Sequence, residues 1–524
     1  MLLNKYNNPG ASCNLTFKVC GAFRHSLWAM TVLCIILGSW NLFAASSSDS
    51  GKHWVGTWAC SPYKATSNTP PKALSNNTLR QIVRVSIGGD TLRVKFSNIT
   101  FTSSISLNSA NIAFSPDGTK SAIDASTIKA LTFNGKADVT INAKSEVYSD
   151  PVAFDLKPSM RVAITTYYGS CPSSQDMTFH YGSRTNSYLL TGDQTASADF
   201  SGATTVERWY TISNIDVVAP SSAAAVACFG NSITDGYGLS GGLQNRWTDA
   251  FSEKLLANPS TAQVGVLNEG IGATKVTGAS NGAESGINRF EHDILGLSGL
   301  RWVIIYYGIN DLAGGASANA ITNGFKTMIN KAHTQNVKVY GATITPCGTY
   351  SDASYTSRDQ ARNEVNTWIR AAGNFDGVID FDKVIRDPSQ TKNLQSKYSK
   401  DGLHPNADGY KLLGESIDLD LFTVPTEANL MQEKKNKDNV LGEIFSIPIN
   451  GNTMITFTIP HESFVSLKAF SMLGKEIAEL AGRAFSSGRH TIKFESKNLP
   501  KGIYLFSIKA GNFSASQKMI LPVH

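Results

Sequence analysis

Between residues 223 and 381 the chain repeats one pattern: apolar runs without polar alternation, separated by amphipathic helical segments. The runs cover residues 223–229, 264–268, 302–307, 337–344 and 378–381. One intervening helix is expected over 247–256. Another carries Ile321, Phe325, Met328, Ile329 and Ala332 on one face, and a third, over 358–372, turns Val365, Trp368 and Ile369 inward. Strands that are apolar on both sides must be covered on both sides, and helical crossovers between them make neighbouring strands parallel. In such a sheet reactive groups belong in the loops beyond the strands' carboxyl ends.

The flanking regions follow a different grammar. From about 54 to 220 the sequence is rich in β-formers and turn residues. Val83, Val85 and Ile87 alternate with Arg84 and Ser86, Gly88-Gly89-Asp90 turns the chain, and Leu92, Val94 and Phe96 alternate again, which predicts a hairpin. Further strands are expected at 105–107, 139–141, 162–167 and 209–217. An all-β sandwich or jelly roll is the economical architecture, with Tyr167, Tyr168 and Tyr181 in its core. A polar stretch, 426–439, centres on Glu433-Lys434-Lys435-Asn436-Lys437. Beyond it, strands expected at 454–459, 465–471, 490–494, 502–510 and 514–521 make a small β-sandwich. The expected organisation is therefore multidomain: a β-sandwich domain over 50–220, an α/β domain over 221–425, a linker over 426–444 and a β-domain over 445–524.

Residues 1–46 read as a secretory signal peptide. A basic segment ending at Arg24-His25 precedes the apolar run 27–37, and the small residues Ala44-Ala45-Ser46 follow. An uncleaved anchor is the alternative, but Gly38, Ser39 and Asn41 interrupt the run. Cys13, Cys20 and Cys34 leave with this leader. Cys60, Cys171, Cys228 and Cys347 are scattered without a CxxC pair, which argues against a zinc site of ordinary spacing. Cys60 and Cys171 are candidates for a disulfide in an exported chain, and Cys228 is expected as a small buried hydrophobe. The formal charge of +6, with no basic stripe interleaved with aromatics, does not call for nucleic acid.

The first central run leads directly into Gly230-Asn231-Ser232-Ile233-Thr234-Asp235-Gly236. A serine at a strand's carboxyl end and a helix N-terminus exposes its hydroxyl where free backbone N–H groups can meet an oxyanion. Serine also needs a base, and the base an orienting partner. His25 lies in the leader, His53 and His180 in the first β-region, and His461, His490 and His524 in the tail. His333 closes an amphipathic helix, and His292 is flanked by charges on an expected surface helix. That leaves His404, three residues after Asp401 in Asp401-Gly402-Leu403-His404. Asn310 in Gly308-Ile309-Asn310-Asp311 and the turn Asn268-Glu269-Gly270-Ile271-Gly272-Ala273 follow two other strands and can supply oxyanion donors, although an Asn in a turn commonly makes only an Asx-turn.

Taken in order, these four blocks resemble those of the SGNH, or GDSL-type, hydrolases over residues 223–423. Within that superfamily the chain is most similar to secreted carbohydrate esterases, including xylanase-associated acetyl esterases. The resemblance implies a three-layer α/β/α, flavodoxin-like fold, with Ser232 as nucleophile, His404 as base and Asp401 as its orienter. The N–H of Ser232, the N–H of Ala273 (or of Gly272) and the Asn310 amide would be the oxyanion donors. No metal or organic cofactor is implied. Asn231 replaces the usual Asp, and Ala273 stands where many members have glycine. The tail, through Leu473-Gly474-Lys475-Glu476-Ile477, Leu499-Pro500-Lys501-Gly502-Ile503-Tyr504-Leu505 and Lys518-Met519-Ile520-Leu521, resembles C-terminal secretion and sorting domains of Bacteroidetes-type exported proteins. The expected function is deacylation of an acylated carbohydrate, such as acetylated xylan, outside the cell. Its partners are then that substrate and the export machinery, with membrane contact only during export. A lysophospholipase or short-chain lipase, or an inactive carbohydrate-binding surface protein, are the alternatives.

Overall fold

The computed structural model describes residues 51–423, 442–449, 452–459, 462–471, 474–495, 499–500, 502–511 and 513–521. The expected leader and most of the expected linker lie outside them.

The central sheet has five parallel strands in the order Val264–Gly270, Ala224–Gly230, Leu300–Tyr306, Lys338–Ala342, Gly377–Ile379. Alternate residues of the strand Ala224–Gly230 enter different cores. Ala225, Ala227 and Phe229 pack with Ile321, Phe325 and Met328 of the helix Ala318–His333. Ala224, Val226 and Cys228 pack with Trp247, Phe251 and Leu255 of the helix Trp247–Leu256. Each of these large side chains contributes roughly 1.5–3 kcal/mol on burial. The apolar runs thus lack alternation because both faces are covered. The second strand in sequence lies on one side of the first and the third on the other, so the chain changes direction at the carboxyl end of Ala224–Gly230. A crevice opens at such a switch point.

The first β-region is antiparallel throughout. One sheet runs Lys52–Ala59, Ile212–Pro220, Gly89–Ser97, Glu146–Tyr148, with Val152–Leu156 also paired to Gly89–Ser97. A second runs Thr204–Val206, Ser187–Thr191, Asn77–Arg84, Arg161–Tyr168, Ile105–Phe114, Lys129–Leu131, with Val139–Ile141 also paired to Ile105–Phe114. A small third sheet joins Trp209–Tyr210, Thr178–His180 and Tyr63–Lys64. The expected hairpin does not form: Asn77–Arg84 and Gly89–Ser97 belong to different sheets. Between them Ser86 gives both its N–H (2.8 Å) and its hydroxyl (2.7 Å) to the Thr57 carbonyl, which turns the chain from one sheet to the other. Both outcomes preserve the same apolar alternation. Cys60 and Cys171 are both buried free thiols, so the candidate disulfide is not formed. Tyr168 is buried, but Tyr181 is 42 % exposed, with the Arg208 guanidinium 5.0 Å above its ring.

This β-region packs along the edge of the parallel sheet. The approach is close enough that a Cβ on Gly265 would lie 2.2 Å from the Gly56 carbonyl oxygen. Gly56 N–H donates to the Ser298 carbonyl at 2.9 Å, and Val266 N–H to the Ser86 hydroxyl at 2.9 Å. The C-terminal region forms two antiparallel sheets: Gly442–Ile449, Asn452–Ile459, Gly488–Phe494, and Glu476–Phe485, Ser463–Ser471, Gly502–Ala510, Phe513–Leu521. Gly442–Ile449 was not expected as a strand; Pro448 masks it, and it sits at a sheet edge, where proline is tolerated.

Candidate active site

Ser232 opens the short helix Ser232–Asp235 directly off the strand Ala224–Gly230. Asn231, in extended conformation, caps that helix by accepting from the Ile233 N–H at 3.1 Å. An asparagine oxygen therefore makes the capping contact that an aspartate would make, without its charge. The strand must be glycine at its end, because a Cβ on Gly230 would come within 2.2 Å of the Thr234 hydroxyl.

The Asp401–His404 turn is held by the carboxylate itself. Asp401 Oδ1 accepts from the Leu403 N–H (3.0 Å) and the His404 N–H (2.8 Å), and Oδ2 accepts from His404 Nδ1 at 2.8 Å. With the proton on Nδ1, Nε2 is free to accept, and it lies 3.0 Å from Ser232 Oγ. Burial opposes ionisation of Asp401, but these hydrogen bonds outweigh it and hold the carboxyl below its usual range. Burial also pushes the His404 imidazole below its usual range, opposed by Asp401 and aided by the positive charge of Arg184. This direction favours the neutral imidazole, with Nε2 as an acceptor.

The loops that follow the strands Val264–Gly270 and Leu300–Tyr306 are tied to each other. Asn310, on the helix Ile309–Ala313, gives one amide hydrogen of Nδ2 to the Thr274 carbonyl at 2.9 Å, and its Oδ1 accepts from the Tyr355 hydroxyl at 2.9 Å. The buried Asp311 carboxylate accepts from the Val276 N–H (2.8 Å) and from the Thr277 N–H and hydroxyl (both 2.9 Å). Ala273 adopts φ +63°, the left-handed region, which accounts for glycine being the easier residue there. Among the described residues no carbonyl accepts from the Gly272 or Ala273 N–H. The structure therefore brings Ser232, His404 and Asp401 into one hydrogen-bonded chain, with Gly272, Ala273 and Asn310 on loops at neighbouring strand ends.

Several neighbours escaped the reading of the sequence. The Tyr237 ring, 45 % exposed, lies 4.4 Å from the His404 ring, and Tyr350 approaches it edge-on at 6.3 Å. His180, set aside with the first β-region, places Nε2 3.1 Å from Asp235 Oδ1, and Arg184 reaches Asp235 Oδ2 at 3.2 Å. His292 is exposed, as expected, and it bridges Asp293 (2.7 Å) and Glu146 (3.2 Å). Among the described residues no group of three or more His, Cys, Asp or Glu side chains is arranged to hold a metal ion.

Residues 228–412 match the model of the GDSL-like lipase/acylhydrolase family. The central domain belongs to that family. Residues 443–522 match the secretion system C-terminal sorting domain, which directs this GDSL-like hydrolase to the extracellular space or the cell surface. Similar solved structures include a protein assigned to the lipolytic G-D-S-L family from Desulfitobacterium hafniense (23% identity, 37% of this chain and 97% of that one, TM-score 0.30). Others are a GDSL-like lipase from Bacteroides thetaiotaomicron (18% identity, 41% and 88%, TM-score 0.28) and an acetylxylan esterase from Geobacillus stearothermophilus (18% identity, 37% and 91%, TM-score 0.29). No curated protein sequence matches the chain.

Proposed function

We propose that this GDSL-like hydrolase is an exported serine esterase that removes acyl groups, acetyl in particular, from carbohydrate esters such as acetylated xylan or its oligosaccharides. The observation that carries the reading is the hydrogen-bonded chain Ser232 Oγ–His404 Nε2 (3.0 Å) and His404 Nδ1–Asp401 Oδ2 (2.8 Å) at the switch point of the sheet. In this reading Ser232 Oγ attacks the ester carbonyl while His404 Nε2 takes its proton. Asp401 keeps the ring oriented and stabilises the imidazolium that forms. The N–H groups of Ser232 and Ala273 (or Gly272) and the second N–H of Asn310 Nδ2 receive the oxyanion. His404 then protonates the departing sugar hydroxyl, and in the second half it deprotonates the water that releases the acid.

Tyr237 supports a carbohydrate as the alcohol component. Its half-exposed ring stands beside the base, where the apolar face of a sugar can lie against it. Export to the cell exterior is in keeping with a polymeric substrate that does not enter the cell. Ser232→Ala should abolish hydrolysis of p-nitrophenyl acetate without lowering the melting temperature; full retained activity would refute the assignment. Acetate release from acetylated xylan, compared with fatty-acid release from lysophospholipid, separates the carbohydrate esterase from a lipase.

A further inference from the structure

We infer that the antiparallel β-domain is a working part of the esterase: its residues His180 and Arg184 clamp Asp235 from behind the nucleophile turn and act as positioning residues for Ser232 and His404. The inference rests on the esterase reading above.

Asp235 is the last residue of the helix that Ser232 begins, and its side chain is buried. Both partners of its carboxylate come from the other domain, His180 Nε2 on Oδ1 (3.1 Å) and Arg184 on Oδ2 (3.2 Å). His180 Nδ1 faces the Ser61 carbonyl at 2.8 Å. The carbonyl oxygen and the carboxylate both accept, so each ring nitrogen of His180 faces an acceptor. Arg184 supplies a cation. Burial works against the Asp235 charge, yet Arg184 and His180 hold its carboxyl below the usual range.

The loop that carries these residues is seated by further bonds. Arg246 donates to the carbonyls of Gly182 (3.1 Å), Ser183 (2.8 Å) and Asp235 (3.1 Å), and Gly242 N–H donates to the Arg184 carbonyl at 2.7 Å. The approach leaves no room for a side chain: a Cβ on Gly182 would fall 1.7 Å from Asp235 Oδ1. A cavity of about 50 Å³ adjoins the clamp, lined by His180, Gly182, Asp235 and Arg246 among others. It admits a few waters at most, so substrate does not reach Asp235 there and the clamp acts through the residues it holds.

Two routes connect the clamp to the reacting atoms. Along the chain, the Asp235 N–H bonds the Asn231 carbonyl (2.9 Å), and the Gly236 and Tyr237 N–H groups bond the Ser232 carbonyl (3.0 and 2.8 Å). Through space, the Arg184 guanidinium lies 5.7 Å from the Tyr237 ring, which in turn lies on His404. The groups facing His404 are Asp401 on its own turn, Ser232, Tyr237 and Tyr350 on neighbouring loops, and the charge of Arg184 from the β-domain. Removing the Arg184 cation therefore raises the pH at which His404 loses its proton, whereas disturbing Asp401 lowers it.

The test uses the full chain and p-nitrophenyl acetate, after the wild type has shown Ser232-dependent hydrolysis; failure at that stage refutes the esterase reading, not the clamp. Arg184→Gln keeps a donor for Asp235 without the charge, and Arg184→Lys keeps the charge. In Arg184→Gln the acidic limb of kcat/KM should move to higher pH, and Arg184→Lys should restore it. His180→Gln and Asp235→Asn should each lower kcat on the order of 10–100-fold with little change in KM, and the double variant should be no worse than the poorer single one. A folded Arg184→Gln enzyme with an unmoved limb would overturn the inference. So would His180→Gln and Asp235→Asn proteins that lose only melting temperature, or a set of variants that all fail to fold, because the clamp would then be structural alone.

Discussion

Replacing Asn310 with alanine separates an oxyanion donor from an ordinary turn residue. Its amide has three contacts to make, and two are already visible: Nδ2 to the Thr274 carbonyl and Oδ1 from the Tyr355 hydroxyl, both at 2.9 Å. The second N–H of Nδ2 is the one left for a substrate oxygen. Losing one preorganised oxyanion donor costs about 2.7–4 kcal/mol, or roughly 10²–10³ in kcat. Truncation also leaves a buried carbonyl and a partly buried hydroxyl without their partner, at about 1–3 kcal/mol for each group that water does not reach. Asn310→Ala should therefore lower both kcat, measured on p-nitrophenyl acetate at saturation, and stability in urea unfolding. Tyr355→Phe removes only the contact that orients the amide, and should cost about tenfold or less in kcat. An Asn310→Ala enzyme that folds and keeps kcat within about threefold of wild type would refute the donor role. Such a result would leave Asn310 as a strut between two loops.

Other consequences concern backbone, charge and thiols. Ala273→Gly relieves a left-handed conformation that costs an alanine roughly 1 kcal/mol, but it frees the unfolded chain by about 0.4–1 kcal/mol. Its thermal stability should stay near wild type, whereas Ala273→Val should melt clearly lower; an unchanged Val variant would contradict the φ of +63°. Burial, with the neighbouring charge of Asp293, raises the Glu269 carboxyl from 4.5 to about 8. Its contribution to stability is full below pH 4.5 and declines as pH rises to about 8, by on the order of 3–5 kcal/mol. Glu269→Gln should flatten that decline, so that urea unfolding shows a gain over wild type at pH 9 and none at pH 4. Cys60, Cys171, Cys228 and Cys347 are buried free thiols, with Cys171 pushed by burial up to about 12. They should react with a thiol reagent only after denaturation, and a reductant should leave the melting temperature unchanged.

The parts of the site that were legible in the sequence are those whose geometry is local. A strand that runs into Gly230-Asn231-Ser232 has its hydroxyl presented by the turn itself. Asp401 reaches His404 across three residues, because its own carboxylate caps the turn that carries the imidazole. The sheet was readable for the same reason, since each central strand declares its two covered faces by lacking alternation. Even Ala273 was marked as a departure from the glycine expected there, and its left-handed φ supplies the physical cause.

What could not be read depends on two distant stretches meeting at one point. The Val83-to-Phe96 alternation is the same whether the chain returns as a hairpin or crosses to another sheet; the two bonds from Ser86 to Thr57 and the distant strand partners distinguish the outcomes. His180 looked uninformative because no carboxylate stands beside it in sequence; its partner is 55 residues away in the other domain. Yet the residues at this contact are costly choices taken singly. Gly182 has no side chain, Asp235 is a buried carboxylate, and His180 is a buried imidazole whose two nitrogens both face acceptors. Burying a carboxylate costs free energy that its contacts with His180 and Arg184 offset, and the close approach needs a residue without a Cβ at 182. The three meet at the far end of the short helix that Ser232 begins, so side chains more than 50 residues earlier in the chain hold the end of that helix.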